Sequence, residues 1–532
     1  MAIRINSLSI DIDESIDELK NKAARKLKIS EKDIKEFKIL RESLDARRKN
    51  NIRFNYSVEL TCDAERKVVS KIKDRNINIE EEIVKEKLVL GTKKMKYRPI
   101  VVGMGPAGMF AGLLLAENGY RPIIIERGQK VEDRTKTVDK FWKSGKLNLE
   151  SNIQFGEGGA GTFSDGKLTT RIKDERCQFI LKTFVKYGAP EEIIYNGKPH
   201  LGTDNLKIIV KNIRNRIIEL GGDILFNNKL ENLIIEHKRL KAVVVNENQI
   251  GCDNLILAIG HSARDTYEMI LKKDVVVEPK AFAIGVRVEH SQHMINVNQY
   301  GKFADHPKLK DADYRLTYNS KEGRGVYSFC MCPGGEVIAA ASEENRIVTN
   351  GMSYYKRDFE NANSAVVVTV GEKDFEGNSP LKGMEFQRHY ENLAYKLGGG
   401  NYAAPVQLIK DFLNDTVSNK VGEVKPTYKP GYEFRDLRKC LPPAVASALK
   451  EGFIDFEKKI KGFSEGDGVM TAIESRTSSP IRIMRNSNLE SVSLEGLYPC
   501  GEGAGFAGGI ISAAVDGLKT AESVIQKYSP LL

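Results

Sequence analysis

Residues 99–127 read PIVVGMGPAGMFAGLLLAENGYRPIIIER, in which Gly103, Gly105 and Gly108 form G-x-G-x-x-G between an apolar run and an apolar helix pattern. The chemistry of that spacing is the binding of a pyrophosphate. The first glycine allows a tight turn, the second lets backbone approach the phosphates, and the third lets helix and strand pack closely, with the anion at the helix N-terminus. Pro106 and Ala107 complete the turn. Glu126 closes the next strand, with Arg127 behind it. A carboxylate there accepts hydrogen bonds from ribose hydroxyls and repels a 2′-phosphate, which selects FAD or NAD over NADP.

Two other glycine-rich stretches bear on which dinucleotide it is. Near the C-terminus, GLYPCGEGAGFAGGIISAAVDG repeats strand, glycine turn and helix, with Gly501 and Glu502 inside the turn and a helix expected from Gly508, Gly509 and Ile510. An acid there suits the ribityl chain of a flavin, and the helix N-terminus suits negative charge on its reduced ring. The stretch 152–171, NIQFGEGGAGTFSDGKLTTR, holds a second G-x-G-x-x-G (Gly156, Gly158, Gly161) with no apolar helix after it. Gly158, Gly159, Thr162, Ser164, Asp165, Gly166 and Lys167 make it a loop suited to close approach by a flat ring rather than a second dinucleotide site. Gly260 ends a further apolar strand. These features point to non-covalent FAD, with NADH or NADPH admitted only as a transient donor.

YSFCMCPGGE, residues 327–336, places Cys330 and Cys332 one residue apart. On a strand they share a face with Cα atoms near the upper limit for a disulfide. The spacing is not the C-x-x-C of thiol relays, and neither Cys440, Cys500, His290 nor His293 supplies a second ligand pair for zinc. Buried, weakly polar cysteines beside a Pro-Gly-Gly turn are the favoured reading, and a segment facing the substrate side of the ring is the alternative. Arg287 and Glu289, alternating on IGVRVEH, are expected to share a face, each in a satisfied surface or interdomain ion pair unless it serves the site. Arg476, in ESRTSSPIRIMR, is the best candidate outside the cofactor blocks for holding an anion. No metal is expected, and no general acid or base is assigned; His261 is explained by the turn at Gly260.

The elements that must position these residues fall into three units. Residues 1–90 alternate as βαββαβ, a ferredoxin-like module whose last strand is expected at EKLVL, residues 86–90. Residues 91–98 form a charged linker. A doubly wound, Rossmann-like α/β domain is expected over 97–274 and 484–532, discontinuous, with VVVNENQI and NLILAIG as further strands of its sheet. Residues 275–483 form an inserted α+β substrate domain.

Composition narrows the function classes. The 532 residues carry 82 Lys and Arg against 72 Asp and Glu, a net charge of +10, mixed along the chain, and a single Trp. That pattern disfavours a nucleic-acid surface and offers no stacking platform. The longest near-apolar run, residues 101–116, is shorter than the roughly 20 residues of a membrane span and contains a proline. Seven cysteines and a polar start, MAIRINS, lead to the expectation of a cytoplasmic protein. Oligomeric state is not legible.

In combination, GMGPAG, FGEGGAGTFSDGKL, LAIGHSARDT, FCMCPGG, TNGMSYY and GEGAGFAGGI resemble the blocks of the bacterial family usually called uncharacterised FAD-dependent, or NAD(FAD)-utilising, dehydrogenases. The similarity extends over most of the chain. It implies one tightly bound FAD, a glutathione-reductase-like FAD fold with an inserted domain, and dehydrogenase activity on a substrate the family does not specify. The family's FAD positions fall on Gly103, Gly105, Gly108, Glu126, the loop 158–167, Gly260 and Glu502, the last replacing the Asp common in the wider superfamily. The expected function is therefore hydride transfer between FAD and a small molecule. The alternative is an FAD-binding recognition or redox-sensing module that docks a protein or RNA through its N-terminal domain. That alternative asks for a basic, aromatic face, for which Tyr56 and the run Arg47, Arg48, Lys49 are the only candidates.

Overall fold

The computed structural model describes residues 1–81 and 88–531. The N-terminal module runs β1 (Ala2–Asp11), α1 (Glu18–Leu27), β2 (Glu36–Asp45), β3 (Arg53–Thr61), α2 (Glu65–Ser70) and β4 (Ile77–Glu80). Its sheet order is β2-β3-β1-β4, antiparallel throughout, the order of a ferredoxin-like fold. Ile3, Ile5, Leu8 and Ile10 of β1 share one core with Leu19, Ala23 and Leu27 of α1, with an irregularity between Ile5 and Leu8 that keeps all four on that side. The fourth strand is not EKLVL. Helix α2 ends at Ser70, so the chain turns back early and Ile77 takes the edge opposite Ile5. Of EKLVL, residues 86 and 87 lie outside the described residues, and Leu88, Val89 and Leu90 form no strand.

The next unit contains β5 (Ile100–Val102), α3 (Pro106–Glu117), β6 (Ile123–Glu126), α4 (Val131–Ser144), α5 (Arg176–Lys186), α6 (Gly202–Glu219), β7 (Asp223–Phe226), β8 (Leu230–Glu236), β9 (Arg239–Val245), β10 (Asn248–Gly251), β11 (Leu255–Leu257) and α7 (Arg264–Leu271). The expectation that VVVNENQI joins the main sheet is corrected. Asn246 and Glu247 both adopt positive φ, a tight turn that folds β10 back on β9, and β8-β9-β10 form a separate antiparallel sheet.

The inserted domain follows as β12 (Val277–Pro279), β13 (Phe282–Ser291), α8 (Gln292–Tyr300), β14 (Thr317–Asn319), β15 (Gly325–Cys332), β16 (Glu336–Ala339), β17 (Thr349–Met352), β18 (Asn361–Val370), α9 (Lys382–Leu397), β19 (Ala404–Leu408), α10 (Ile409–Leu413), β20 (Tyr432–Phe434), α11 (Pro443–Lys459), β21 (Val469–Glu474) and β22 (Ile481–Ile483). Seven of these strands form one sheet, β14-β15-β18-β13-β21-β19-β20, with α11 packed across it. The chain leaves through β12 and returns through β22, which pair with each other.

Then β23 (Leu497–Pro499) and α12 (Ile510–Lys527) return to the α/β unit, where β23 completes a sheet of order β23-β11-β5-β6-β7, all parallel. Helix α3 is apolar on every side because α12, α6 and the sheet surround it. The N-terminal module touches both other units: Ile12 and Ile52 join the core of the inserted domain, and the Glu42 N–H donates at 2.6 Å to the carbonyl of Tyr195 in the α/β unit. Among the described residues no helix is long and apolar enough to cross a membrane.

Candidate active site between sheet and inserted domain

The strand ends β5, β6 and β11 open into a cavity of about 450 Å³ that continues to the edge of the inserted sheet. Its volume is that of a cofactor or substrate pocket. Of the residues singled out for the cofactor, Gly103, Gly105, Pro106, Ala107, Glu126, Arg127, Gly159, Ser164, Asp165, Gly166, Lys167, Gly260, Glu502, Gly508, Gly509 and Ile510 line it. Gly108, Gly158, Thr162 and Gly501 do not. Each of these four lies behind the wall and shapes it: a Cβ on Gly108 would sit 1.9 Å from the Gly103 carbonyl oxygen, one on Gly158 would sit 2.1 Å from Thr162 Oγ1, and one on Gly501 would meet the Ala107 methyl at 2.7 Å.

Gly105 is different. Its φ of −76° and ψ of −175° suit any residue, and the nearest protein atom to an added Cβ is 3.7 Å away. The fold does not require glycine there, so the requirement comes from what approaches across the cavity. Gly103 has φ of +94° and does need glycine for its turn.

Glu126 is tied into the backbone around it. Oε2 accepts from the Met104 N–H at 2.8 Å, and Oε1 accepts from Gly128 and Gly156 at 2.9 Å each. The carboxylate thus holds the glycine turn, its own loop and the 152–171 loop at one point while still facing the cavity. Asp165 pairs with Arg357 through both oxygens, at 2.9 and 2.6 Å, and accepts from Ser353. Burial alone would raise its pKa, and the Arg357 guanidinium overcomes that and holds it below the usual range. Among the described residues Glu502 makes no such pair. Burial pushes its carboxyl up to about 7, opposed only by Lys280.

At the far end, the bulge in β15 separates the two cysteines. Cys330 takes φ of +43° and the register against β18 slips between Phe329 and Cys332, so the expectation of a shared face is corrected. Cys330 is exposed and Cys332 is buried; both line the cavity and both are free thiols. Burial pushes the Cys330 thiol up to about 12, against the pull of Arg287, so it is protonated at neutral pH. Lys167 donates to the Met331 carbonyl beside them.

Arg287 and Glu289 do not reach the cavity. Both lie in the middle of β13 with neighbouring strands on each side, and their polar atoms are already used. Arg287 donates to Asn363, to Glu474 at 3.2 Å, to the Cys330 carbonyl at 2.6 Å and to Cys332 Sγ at 3.4 Å. Glu289 accepts from Thr427 and Asn361, and burial raises it to about 7. Arg287 supports the bulge from below and is a positioning residue.

Arg476 lines the cavity, but its donors are committed. Nε and Nη2 bind the two oxygens of Glu391 at 3.0 and 2.9 Å, and Nη1 binds Ser262 and Ser342. Arg264 grips the same carboxylate at 2.7 and 2.9 Å. With its donors saturated, Arg476 braces the wall rather than capturing an anion. His261 beside it is held down to about 3 by burial and by the two guanidiniums, and is neutral.

Sequence reasoning did not single out the floor of the cavity: Thr349, Asn350 and Gly351 of β17, Glu474 at the end of β21, and Thr477. Glu474 accepts from Arg287 and from Thr349 Oγ1 at 3.1 Å, and burial raises it. The TNG and ESRT stretches carried the signal without a spacing rule to interpret it. Among the described residues no group of three or more His, Cys, Asp and Glu side chains is placed to hold a metal ion.

A serine in place of Cys330 exchanges a cavity-facing thiol for a hydroxyl that the same space accommodates, whereas a serine in place of Cys332 buries a more polar group. We expect Cys330→Ser to keep the parent's flavin content and melting temperature, and Cys332→Ser to lose about 1–3 kcal/mol in denaturant unfolding. Equal losses for both would show that the bulge does not separate them.

Comparison with known proteins bears on the same regions. The model of the family described as "FAD-dependent protein, C-terminal domain-like" matches residues 281–477, and a domain of unknown function matches residues 2–61. A Clostridium beijerinckii protein described as uncharacterised is 59% identical over 529 residues, covering 99% of either chain. Among solved structures, glycine oxidase from Bacillus cereus aligns at 10% identity over 82% of this chain and 99% of that one, with a TM-score of 0.31. L-proline dehydrogenase from P. horikoshii aligns at 13% identity over 82% and 94%, with a TM-score of 0.34. The chain belongs to the family of FAD-dependent proteins that it shares with the Clostridium protein and whose C-terminal domain spans residues 281–477.

Proposed function

We propose that the protein is an oxidoreductase that exchanges a hydride between bound FAD and a small molecule admitted from the side of the inserted domain. The observation that supports this most is the shared wall: Cys330, Glu474 and Thr477 of the inserted domain face the same space as Gly508, Gly509 and Ile510 at the start of α12. A dinucleotide that only braced the fold would need no chamber of polar inserted-domain side chains at its end.

The residues fit the cofactor. Gly103, Gly105, Pro106 and Ala107 would hold the pyrophosphate at the N-terminus of α3, Glu126 the adenosine ribose, and Glu502 the ribityl chain, with the loop from Gly159 to Lys167 and Gly260 along the sides. Bound FAD supplies the two-electron chemistry. The chain supplies charge and protons: the unpaired N–H groups at the start of α12 favour an anion, and Glu502, with its carboxyl near 7, holds or releases a proton within the neutral range. Cys330 offers a neutral thiol to the reacting face.

The recognition reading has less support: Tyr56 is buried and donates to Glu42 at 2.9 Å, so it does not form a surface with the exposed Arg47, Arg48 and Lys49.

The test is anaerobic mixing of the flavin-loaded protein with NADH and then NADPH, following flavin absorbance. Bleaching by either makes it a nicotinamide-driven reductase. If neither bleaches it, the substrate is itself the donor, and a panel of small amino, hydroxy and amine donors is expected to contain one that does. A flavin that none of these reduces overturns the proposal.

A further inference from the structure

Next to the flavin cavity, and sharing Thr169, Gly508 and Gly509 with it, is an open recess between the loop 169–172 and the first turn of α12. Arg171 and Lys280 line it, as does Phe506. The Phe506 ring carries the guanidiniums of Arg482 and Arg485 at 5.4 and 3.7 Å from its centroid. Arg485 is neutralised by Asp516. The others are not: among the described residues neither Arg171 nor Arg482 forms an ion pair, and Lys280, half-buried, has only Ser478 Oγ and the Ser479 carbonyl, each at 3.4 Å. Glu502, on the cavity side, is the one carboxylate that acts on Lys280. Ile511 and Ser512, in the first helical turn, also line the recess; N–H groups of a first turn have no carbonyl within the helix to receive them.

A half-buried ammonium that, among the described residues, forms no salt bridge and feels only the more distant Glu502 is costly unless something anionic comes closer to neutralise it. Two cations, Arg171 and Lys280, line the recess beside Phe506, Arg482 lies over the Phe506 ring, and the recess shares Thr169, Gly508 and Gly509 with the cavity. Resting on the oxidoreductase reading, we propose that this recess binds the anionic group, carboxylate or phosphate, of the small molecule whose other end reacts beyond Gly508 and Gly509. Lys280 supplies the buried charge, Arg171 closes over it from the loop, and Phe506 covers the apolar side. The substrate class is thus an organic anion rather than a neutral or cationic amine.

The test is calorimetric titration of the flavin-loaded protein, without turnover, using benzoate, its uncharged counterpart benzamide, and methyl phosphate. Benzoate or methyl phosphate is expected to bind at least about tenfold more tightly than benzamide. Lys280→Met is expected to weaken that binding about tenfold, with flavin content unchanged, and Lys280→Arg to retain it. Arg171→Met, at an exposed position that cannot disturb folding, is expected to weaken it by a smaller factor. Tighter methyl phosphate assigns phosphate, and tighter benzoate assigns carboxylate. Equal affinity for benzoate, methyl phosphate and benzamide, or affinities untouched by Lys280→Met, overturns the proposal. Because binding is read directly, anions that bind to a protein whose flavin no donor reduces would leave the recess standing and remove the oxidoreductase reading alone.

Discussion

Gly105→Ala will leave the protein folded and strip it of flavin, whereas Gly108→Val will unfold the domain. The two glycines are three residues apart in one motif, yet they are constrained by different things. At Gly108 a Cβ lands 1.9 Å from the Gly103 carbonyl oxygen, and 3.3 Å from the Val101 side chain. Backbone cannot yield there without opening the β5–α3 turn, so a loss of more than about 4 kcal/mol is expected, in the range that marks severe core disruption. At Gly105 the backbone is in an ordinary extended region and no protein atom stands within 3.7 Å of the added methyl. The methyl projects into the cavity. The expected result is an apo-protein melting temperature within a degree or two of the parent apo-protein and a flavin-to-protein ratio that falls about tenfold or more on gel filtration. Retention of flavin by Gly105→Ala would mean that the pyrophosphate is not held at this turn.

The second large effect is expected at Glu391. This carboxylate is fully buried between Arg264 and Arg476, and it receives a further bond from Ser475 Oγ at 2.7 Å. Burial by itself would raise its pKa, but the two guanidiniums overcome that and hold it far below the usual carboxylate range. Glu391→Gln leaves two buried cations with reduced compensation and is expected to cost about 3–5 kcal/mol in urea unfolding. The triple variant Glu391→Leu, Arg264→Met, Arg476→Met should recover much of that loss, because it removes the charges together with their desolvation. The pH dependence has a definite sign. A carboxylate whose folded pKa is depressed contributes its full stability above the unfolded value, near 4.3, and loses it as pH falls toward the folded value. The parent should therefore lose stability steeply below about pH 5, and the Gln variant should show a shallower slope there. Parallel slopes would show that another carboxylate dominates acid unfolding.

The outline of this protein could be read from residues because its strongest signals are local. A glycine turn between strand and helix, an acid at the end of the next strand, and a second glycine turn before the last helix each carry their geometry within about twenty residues. What could not be read depended on distant partners. Arg476 looked free to bind an anion because nothing in its own neighbourhood reveals Glu391, 85 residues earlier. Arg287 and Glu289 were correctly placed on one strand face, but the face is covered by Asn361, Asn363 and Thr427 from other strands and loops. The alternation of YSFCMC concealed a bulge, since one left-handed residue at Cys330 is enough to break the two-residue period. The fourth strand of the first module has the same origin: it is Ile77–Glu80 that pairs with β1, and the early end of α2 at Ser70, which brings it there, has no local signal.

The order of the parallel sheet also governs when the cofactor can be acquired. β11, at residue 255, awaits its outer neighbour β23, at residue 497, and α3 awaits α12, the last helix of the chain. At about 5–20 residues per second, roughly 10–50 seconds of translation separate those strands. During that interval a nascent chain exposes an unpaired strand edge and the bare side of an apolar helix, and it lacks the residues 508–510 that close the cavity. The cavity therefore closes late in synthesis, once residues 508–510 have been made, and holdase chaperones have a surface to shield until then. Cells limited in flavin should accumulate a full-length apo form rather than stalled fragments.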